Sequence, residues 1–191
     1  MLGKRLIKSN DSGGACTNTV DLYNPFPDGG GVALYQLNGD ATDVSGNYDG
    51  VFTNPAYGTG VFGQAGVFNG SSSYVYNNDL DTSSTKAISV WVKASDFNDR
   101  WPFQQGDGQG IENYIRFYNT DDIQVRIGNV TQTFSGYSAN TWYHIVAQTN
   151  TSGNANVWIN GIEVGTSTTP TPLTVNRTNI GARYNSSFGR S

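Results

Sequence analysis

Hydrolytic, nucleophilic and metal chemistry draw on a few side-chain types, and this 191-residue sequence is short of them. It holds two glutamates (Glu112 and Glu163), one histidine (His144) and one cysteine (Cys16). A glycosidase needs two carboxylates about 5 to 10 Å apart across a groove. Glu112 has no carboxylate at i+2 or i+4, and Glu163 follows the Asn160-Gly161 turn as a hairpin residue. Asp121 and Asp122 are neighbours in a turn and diverge. His144 has no second histidine or usable cysteine with which to hold zinc, and no general base is placed beside a nucleophile. The expectation is a protein that is not an enzyme, with His144 in a structural place on a strand.

Two other constellations carry possible chemistry. Asp40, Asp43, Asn47 and Asp49 crowd ten residues. They offer the hard oxygen ligands that calcium takes, and equally the short polar side chains that cap their own backbone in turns. Both readings stay open. The second constellation joins Asn98-Asp99-Arg100-Trp101 to Tyr114–Tyr118, which includes Arg116. An aromatic face beside groups that hydrogen-bond hydroxyls is what sugar recognition requires. Trp101 precedes Pro102 and reads as a loop residue, so it is the tryptophan expected outside the core. Trp101, Arg100, Asp99, Tyr114 and Arg116 are therefore the carbohydrate-binding candidates, while Trp91, Trp142 and Trp158 read as core or sheet-packing residues.

The elements that must position these groups are strands. Hydrophobic residues make up 36% of the chain and charged ones 14%, with 24 glycines and only four lysines. That alphabet lacks the residues that fill exposed helix faces. At Ala87–Ala94, Ile88, Val90 and Val92 alternate with Ser89, Trp91 and Lys93, the period of a strand covered on one side. Ile115–Tyr118 and Ile123–Ile127 are joined by the turn Asn119–Asp122, and Trp142–Ala147 alternates again. Asn160-Gly161 is the strongest hairpin signal in the chain. Short strands also read at Val32–Leu37, Val51–Thr53, Val67–Gly70, Ser73–Tyr76, Val130–Phe134, Val157–Ile159 and Thr178–Tyr184. Ten to twelve strands with no convincing helix predict an all-β fold of two packed antiparallel sheets.

Residues 1–31 read as a separate N-terminal arm, in which Leu22, Tyr23 and Phe26 are the few positions suited to docking on a neighbour. Residues 32–191 form the body. The net charge of −4 and the scatter of eleven basic residues argue against nucleic-acid binding. No apolar run is long enough for a membrane-spanning helix, and the N-terminus lacks the apolar core of a secretory signal.

The order of motifs resembles that of laminin-G-like domains in the concanavalin-A-like superfamily. The resemblance runs through Asp43 with Ser45–Gly50, Phe68-Asn69-Gly70 with Ser73–Val75, Ile88–Lys93, Trp142–Val146, Val157–Gly161 and Ile180-Gly181. It implies a jelly-roll β-sandwich and a structural calcium where the opening loop meets the closing strand, with Asp43 the nearest counterpart. Members of that family usually continue beyond a segment like Phe188-Gly189 into one more strand. The sandwich is therefore expected to lack its closing strand, whether by truncation or because another subunit supplies the cover. The arm, the lone Cys16 and the polar composition resemble virion proteins of bacterial viruses. The resulting expectation is a non-enzymatic component on the outer surface of a phage virion: a capsid decoration, head fibre or tail-associated protein. Its partners would be other virion proteins or copies of itself, in a homo-oligomer, and its outer face would touch host surface polysaccharide. The alternative is a carbohydrate-binding adhesion module on a viral or bacterial surface, extracellular in either case.

Overall fold

Where apolar and polar residues alternate, the chain is extended, and the apolar set of each strand turns inward. The computed structural model describes residues 31–80, 87–106, 112–128, 130–149, 154–167, 177–185 and 189–190. The proposed arm, with Leu22, Tyr23 and Phe26, lies outside these residues. The strands are β1 (Val51–Thr53), β2 (Tyr57–Thr59), β3 (Gln64–Gly66), β4 (Tyr74–Asn77), β5 (Ala87–Val92), β6 (Arg100–Gly106), β7 (Glu112–Tyr118) and β8 (Asp122–Ile127). They continue with β9 (Val130–Phe134), β10 (Tyr143–Thr149), β11 (Ala155–Ile159), β12 (Ile162–Ser167), β13 (Thr178–Ile180), β14 (Tyr184–Asn185) and β15 (Gly189–Arg190). No helix occurs among the described residues.

Seven strands form one sheet in the order β1-β4-β13-β6-β7-β8-β9, and four form another in the order β12-β11-β10-β5. Two small ribbons, β2-β3 and β14-β15, complete the set, and every pairing is antiparallel. The core lies between the two large sheets. Ile115, Phe117, Ile123, Val125 and Ile127 come from β7 and β8, and Ile88, Tyr143, Ile145, Ala147, Ala155, Val157 and Ile159 come from the four-stranded sheet. Each valine, isoleucine or phenylalanine among them contributes roughly 1.5 to 3 kcal/mol by its withdrawal from water, before entropy is counted. Because side chains alternate, residues one step out of phase stand on the outer faces, which are the surfaces available for function.

Several sequence expectations change. Val32–Leu37 forms no strand; its one sheet-like contact is the isolated bridge between Tyr35 and Asp43. Val67–Gly70 is a loop, because Asn69 Oδ1 accepts hydrogen bonds from the N–H groups of Ser71, Ser72 and Ser73 and so satisfies that backbone itself. Arg100–Gly106, read as loop through Trp101-Pro102, is a central strand. Its register shifts between Arg100 and Phe103, so Pro102 sits in a bulge where no ladder N–H is needed. The Asn160-Gly161 turn stands as expected, with φ of 52° and 81° at its two central residues.

Candidate functional site

The sequence-predicted sugar cluster lies on the outer face of the seven-stranded sheet, and the structure does bring most of it together. The indole N–H of Trp101 donates to Asp99 Oδ1 at 2.7 Å, and the same oxygen pairs with Arg116 Nε at 2.5 Å. Tyr114 meets Trp101 edge-on at 5.0 Å. The guanidinium of Arg116 lies 4.9 Å from the centre of the Trp101 ring and 4.0 Å from that of Tyr118. Arg183 approaches the same indole at 4.7 Å. Trp101 is only 8% exposed and Tyr114 6%. The expectation that Trp101 is an outlying loop residue is thus corrected: its ring is packed between arginines and a tyrosine. Arg100 belongs elsewhere, held by a two-point pair with Asp96 at 2.8 and 2.7 Å.

The segment after β13 closes over this face. Gln104 is fully buried, and its side-chain amide accepts from Tyr184 N–H at 2.6 Å and donates to Tyr184 C=O at 3.1 Å. Arg177 is stacked 3.8 Å from the Tyr184 ring and 5.3 Å from that of Tyr76. Gly181, at φ 83°, lies so tightly beneath Phe68 that a Cβ there would come within 2.1 Å of its ring.

The four calcium candidates all hydrogen-bond within their own segment. Asp43 is 1% exposed, and its Oδ1 accepts from Leu34 N–H at 2.7 Å and Ser45 N–H at 3.1 Å. Its Oδ2 accepts from Tyr48 N–H at 3.2 Å and from the Ser45 hydroxyl. Burial pushes this carboxyl upward, but the Ser45 hydroxyl and the three backbone N–H groups together outweigh it and hold it below the usual carboxylate range. Asp49 accepts from Asp43 N–H at 2.9 Å, Asp40 from Thr42 N–H at 3.0 Å, and Asn47 turns toward Ser45. Both oxygens of Asp43 already meet donors of its own loop and of Leu34. Among the described residues no group of three or more Asp, Glu, His or Cys side chains converges as a metal site. The motif Asp43–Gly50 is a loop lock, and Gly50 completes it because a Cβ would come within 2.6 Å of Val75.

The outer face of the four-stranded sheet is different. Trp91 on β5 and His144 on β10 are register partners, and their rings stack at 4.9 Å with planes 14° apart. His144 Nε2 lies 2.9 Å from Ser89 Oγ on the neighbouring strand, the cross-sheet bond expected of it. Trp142, Asn160 and Gly161 join Trp91 and His144 to line an open groove of about 480 Å³. Phe62, from the loop between β2 and β3, meets the Trp91 ring edge-on at 5.8 Å. Trp91 is 43% exposed and Phe62 67%. The expectation that Trp91 packs in the sheet is therefore corrected, because it points outward while Ile88 on the same strand points into the core. The Asn160-Gly161 turn is fastened here: His144 N–H donates to Asn160 Oδ1 at 2.9 Å, and Asn160 N–H donates to His144 C=O at 2.8 Å. A signal for this groove exists in the sequence. Trp91 and His144 stand out of phase with the apolar residues of their own strands, where polar side chains are the rule for a face in water.

The fold and the groove define a concanavalin-A-like sandwich, and the family model of the concanavalin A-like lectin/glucanases superfamily (a laminin-G type) matches residues 68–190. The chain belongs to that family. No curated protein sequence matches it. Among solved structures, it is similar to the binding domain of Paraclostridial Mosquitocidal Protein 1, with a TM-score of 0.60, 15% identity, and coverage of 78% of this chain and 43% of that one. It is also similar to the receptor binding domain of the botulinum neurotoxin C/D mosaic serotype, with a TM-score of 0.56, 14% identity, and coverage of 73% and 40%. A third is the binding domain of botulinum neurotoxin DC in complex with rat synaptotagmin II, with a TM-score of 0.58, 16% identity, and coverage of 78% and 43%. The matched region spans less than half the length of each. At these identities the likeness is one of fold.

Proposed function

We propose that the chain is a non-enzymatic carbohydrate-binding or adhesion module, and that its binding surface is the groove on the four-stranded sheet. The observation that carries this is Trp91: a large aromatic ring 43% exposed on an otherwise ordered strand, stacked on His144 beside Trp142. Rigid aromatic faces next to a few oriented polar groups suit pyranose rings, which present apolar C–H faces and polar edges. The similar solved structures are named as binding or receptor-binding domains, which favours a binding role. Glu163 lies outside the groove, where Asn156 and Thr166 hydrogen-bond its carboxylate and hold it below the usual range. The setting we favour is the outer surface of a virion, as a capsid decoration, head fibre or tail-associated protein, on the strength of the lone Cys16 and the Gly-, Asn-, Thr- and Ser-rich composition.

Tryptophan fluorescence titrations against a glycan panel test the binding reading. A binder should perturb the emission of the intact protein, and Trp91→Ala should abolish its binding while leaving the fold intact. Undiminished binding by that variant would overturn the assignment of the groove. Light scattering on the intact chain and on one beginning at Val32 tests the setting: loss of a discrete oligomer on truncation supports an assembly arm, and a monomer in both cases removes it.

A further inference from the structure

The side chains of the groove are disposed to give hydrogen bonds far more than to receive them, and this selects a ligand. Asn160 Oδ1 is taken by His144 N–H at 2.9 Å, so the orientation of the amide is fixed and its two N–H donors face away from that bond. The indole N–H groups of Trp91 and Trp142 have no partner among the described residues. Beside the lining, the ammonium of Lys93, an exposed side chain, stands 5.2 Å from the centre of the Trp142 ring. Among the described residues no carboxylate lines the groove. Glu163, on the far strand of the same sheet, is occupied by Asn156 and Thr166. The side-chain acceptors of the lining are few: the second lone pair of Asn160 Oδ1, and the ring nitrogens of His144, of which Nε2 is engaged with Ser89 Oγ.

A neutral sugar suits that inventory poorly. Each of its hydroxyls carries a proton that needs an acceptor, and a lining of donors leaves those protons to water. A carboxylate is acceptor-only, with about four lone-pair sites, and its bonds to charged or polarised donors are roughly twice as strong as neutral ones. With the whole chain at −4, an anion has little to attract it elsewhere, so a local cluster of donors and one ammonium decides where it docks. Resting on the glycan-binding reading above, we infer that the groove recognises a uronate-bearing glycan. The pyranose face lies against tryptophan, and the ring carboxylate is directed at Lys93 and the Asn160 amide.

Calorimetry on the full chain tests this with a panel of oligosaccharides: galacturonate and glucuronate trimers, the corresponding galactose and glucose trimers, and sulfated galactose trimers. At low ionic strength the uronate trimers should bind at least about tenfold more tightly than their neutral counterparts, and raising the salt should shrink that margin. Lys93→Met should remove most of the margin, and Lys93→Arg should restore it. Equal affinity for uronate and neutral trimers would overturn the inference and leave the glycan-binding reading standing. Binding confined to the sulfated trimers would overturn the choice of carboxylate. A panel with no binder would overturn both readings together.

Discussion

The two outer faces of this sandwich use the same residue types to opposite ends. On the seven-stranded sheet, tryptophan, tyrosine and arginine are stacked on one another and roofed by the segment around Tyr184. On the four-stranded sheet, tryptophan, histidine and phenylalanine stack as well, yet the rings stay open to water. An aromatic beside an arginine is therefore no signature of a ligand site by itself. What separates the faces is whether the protein supplies the second partner. Asp99, Arg116 and Arg183 complete Trp101 from within, whereas nothing among the described residues covers the groove beside Trp91.

This contrast can be broken at several points. The largest effect is expected at Trp101→Ala, which removes a buried ring packed against two guanidinium groups. It should lower unfolding free energy by about 3 to 5 kcal/mol in denaturant titrations, and a loss under 1 kcal/mol would mean that the closed face is not closed. Gln104→Leu keeps the volume but strips both bonds to Tyr184, leaving a partly buried N–H and C=O without these partners. A loss of about 2 kcal/mol is expected, together with faster amide exchange at Tyr184.

Acid should reach a third place, the Asp43 lock, and leave the two faces to be compared on equal terms. The carboxyl of Asp43 is held below its unfolded value of about 3.9. Its contribution to stability is thus present above that pH and lost as pH falls through the folded value. Asp43→Asn should be less stable than the parent protein near neutral pH, and the gap should narrow below about pH 4 in urea melts. A gap that stays constant with pH would show that charge plays no part in the lock. The smallest effect on stability belongs to Trp91→Ala, expected to cost about 1 kcal/mol or less because so much of the ring is already in water. A cost similar to that of Trp101→Ala would erase the distinction between the faces.

Much of the body could be read from periodicity, because β5, β7, β8 and β10 each keep their apolar residues in step with one buried face. The strand at Arg100–Gly106 escaped for a local reason. Proline usually ends a strand, and only a partner that tolerates a bulge reveals that it does not. The same slip put Trp101 outside the core, since a tryptophan read as loop reads as exposed. The loop around Asp43 was legible as a set of oxygen ligands, but the bonds that hold Asp43 were not, because their donors come from Leu34 and Tyr48 as well as from Ser45. The groove depends on pairing Trp91 with His144, 53 positions apart, through the register of β5 and β10. No spacing rule along one strand contains that pairing.

The bond between Gln104 and Tyr184 has an evolutionary consequence. Gln104 reads the main chain of its partner, offering one acceptor and one donor as a neighbouring strand would. Main-chain groups are common to nearly all residues, so this contact sets no requirement on the identity of residue 184 itself. Position 104 is constrained and the position it grips is free to drift, provided that the stacking on Arg177 finds a substitute. Across homologues the glutamine should persist while the residue it holds changes.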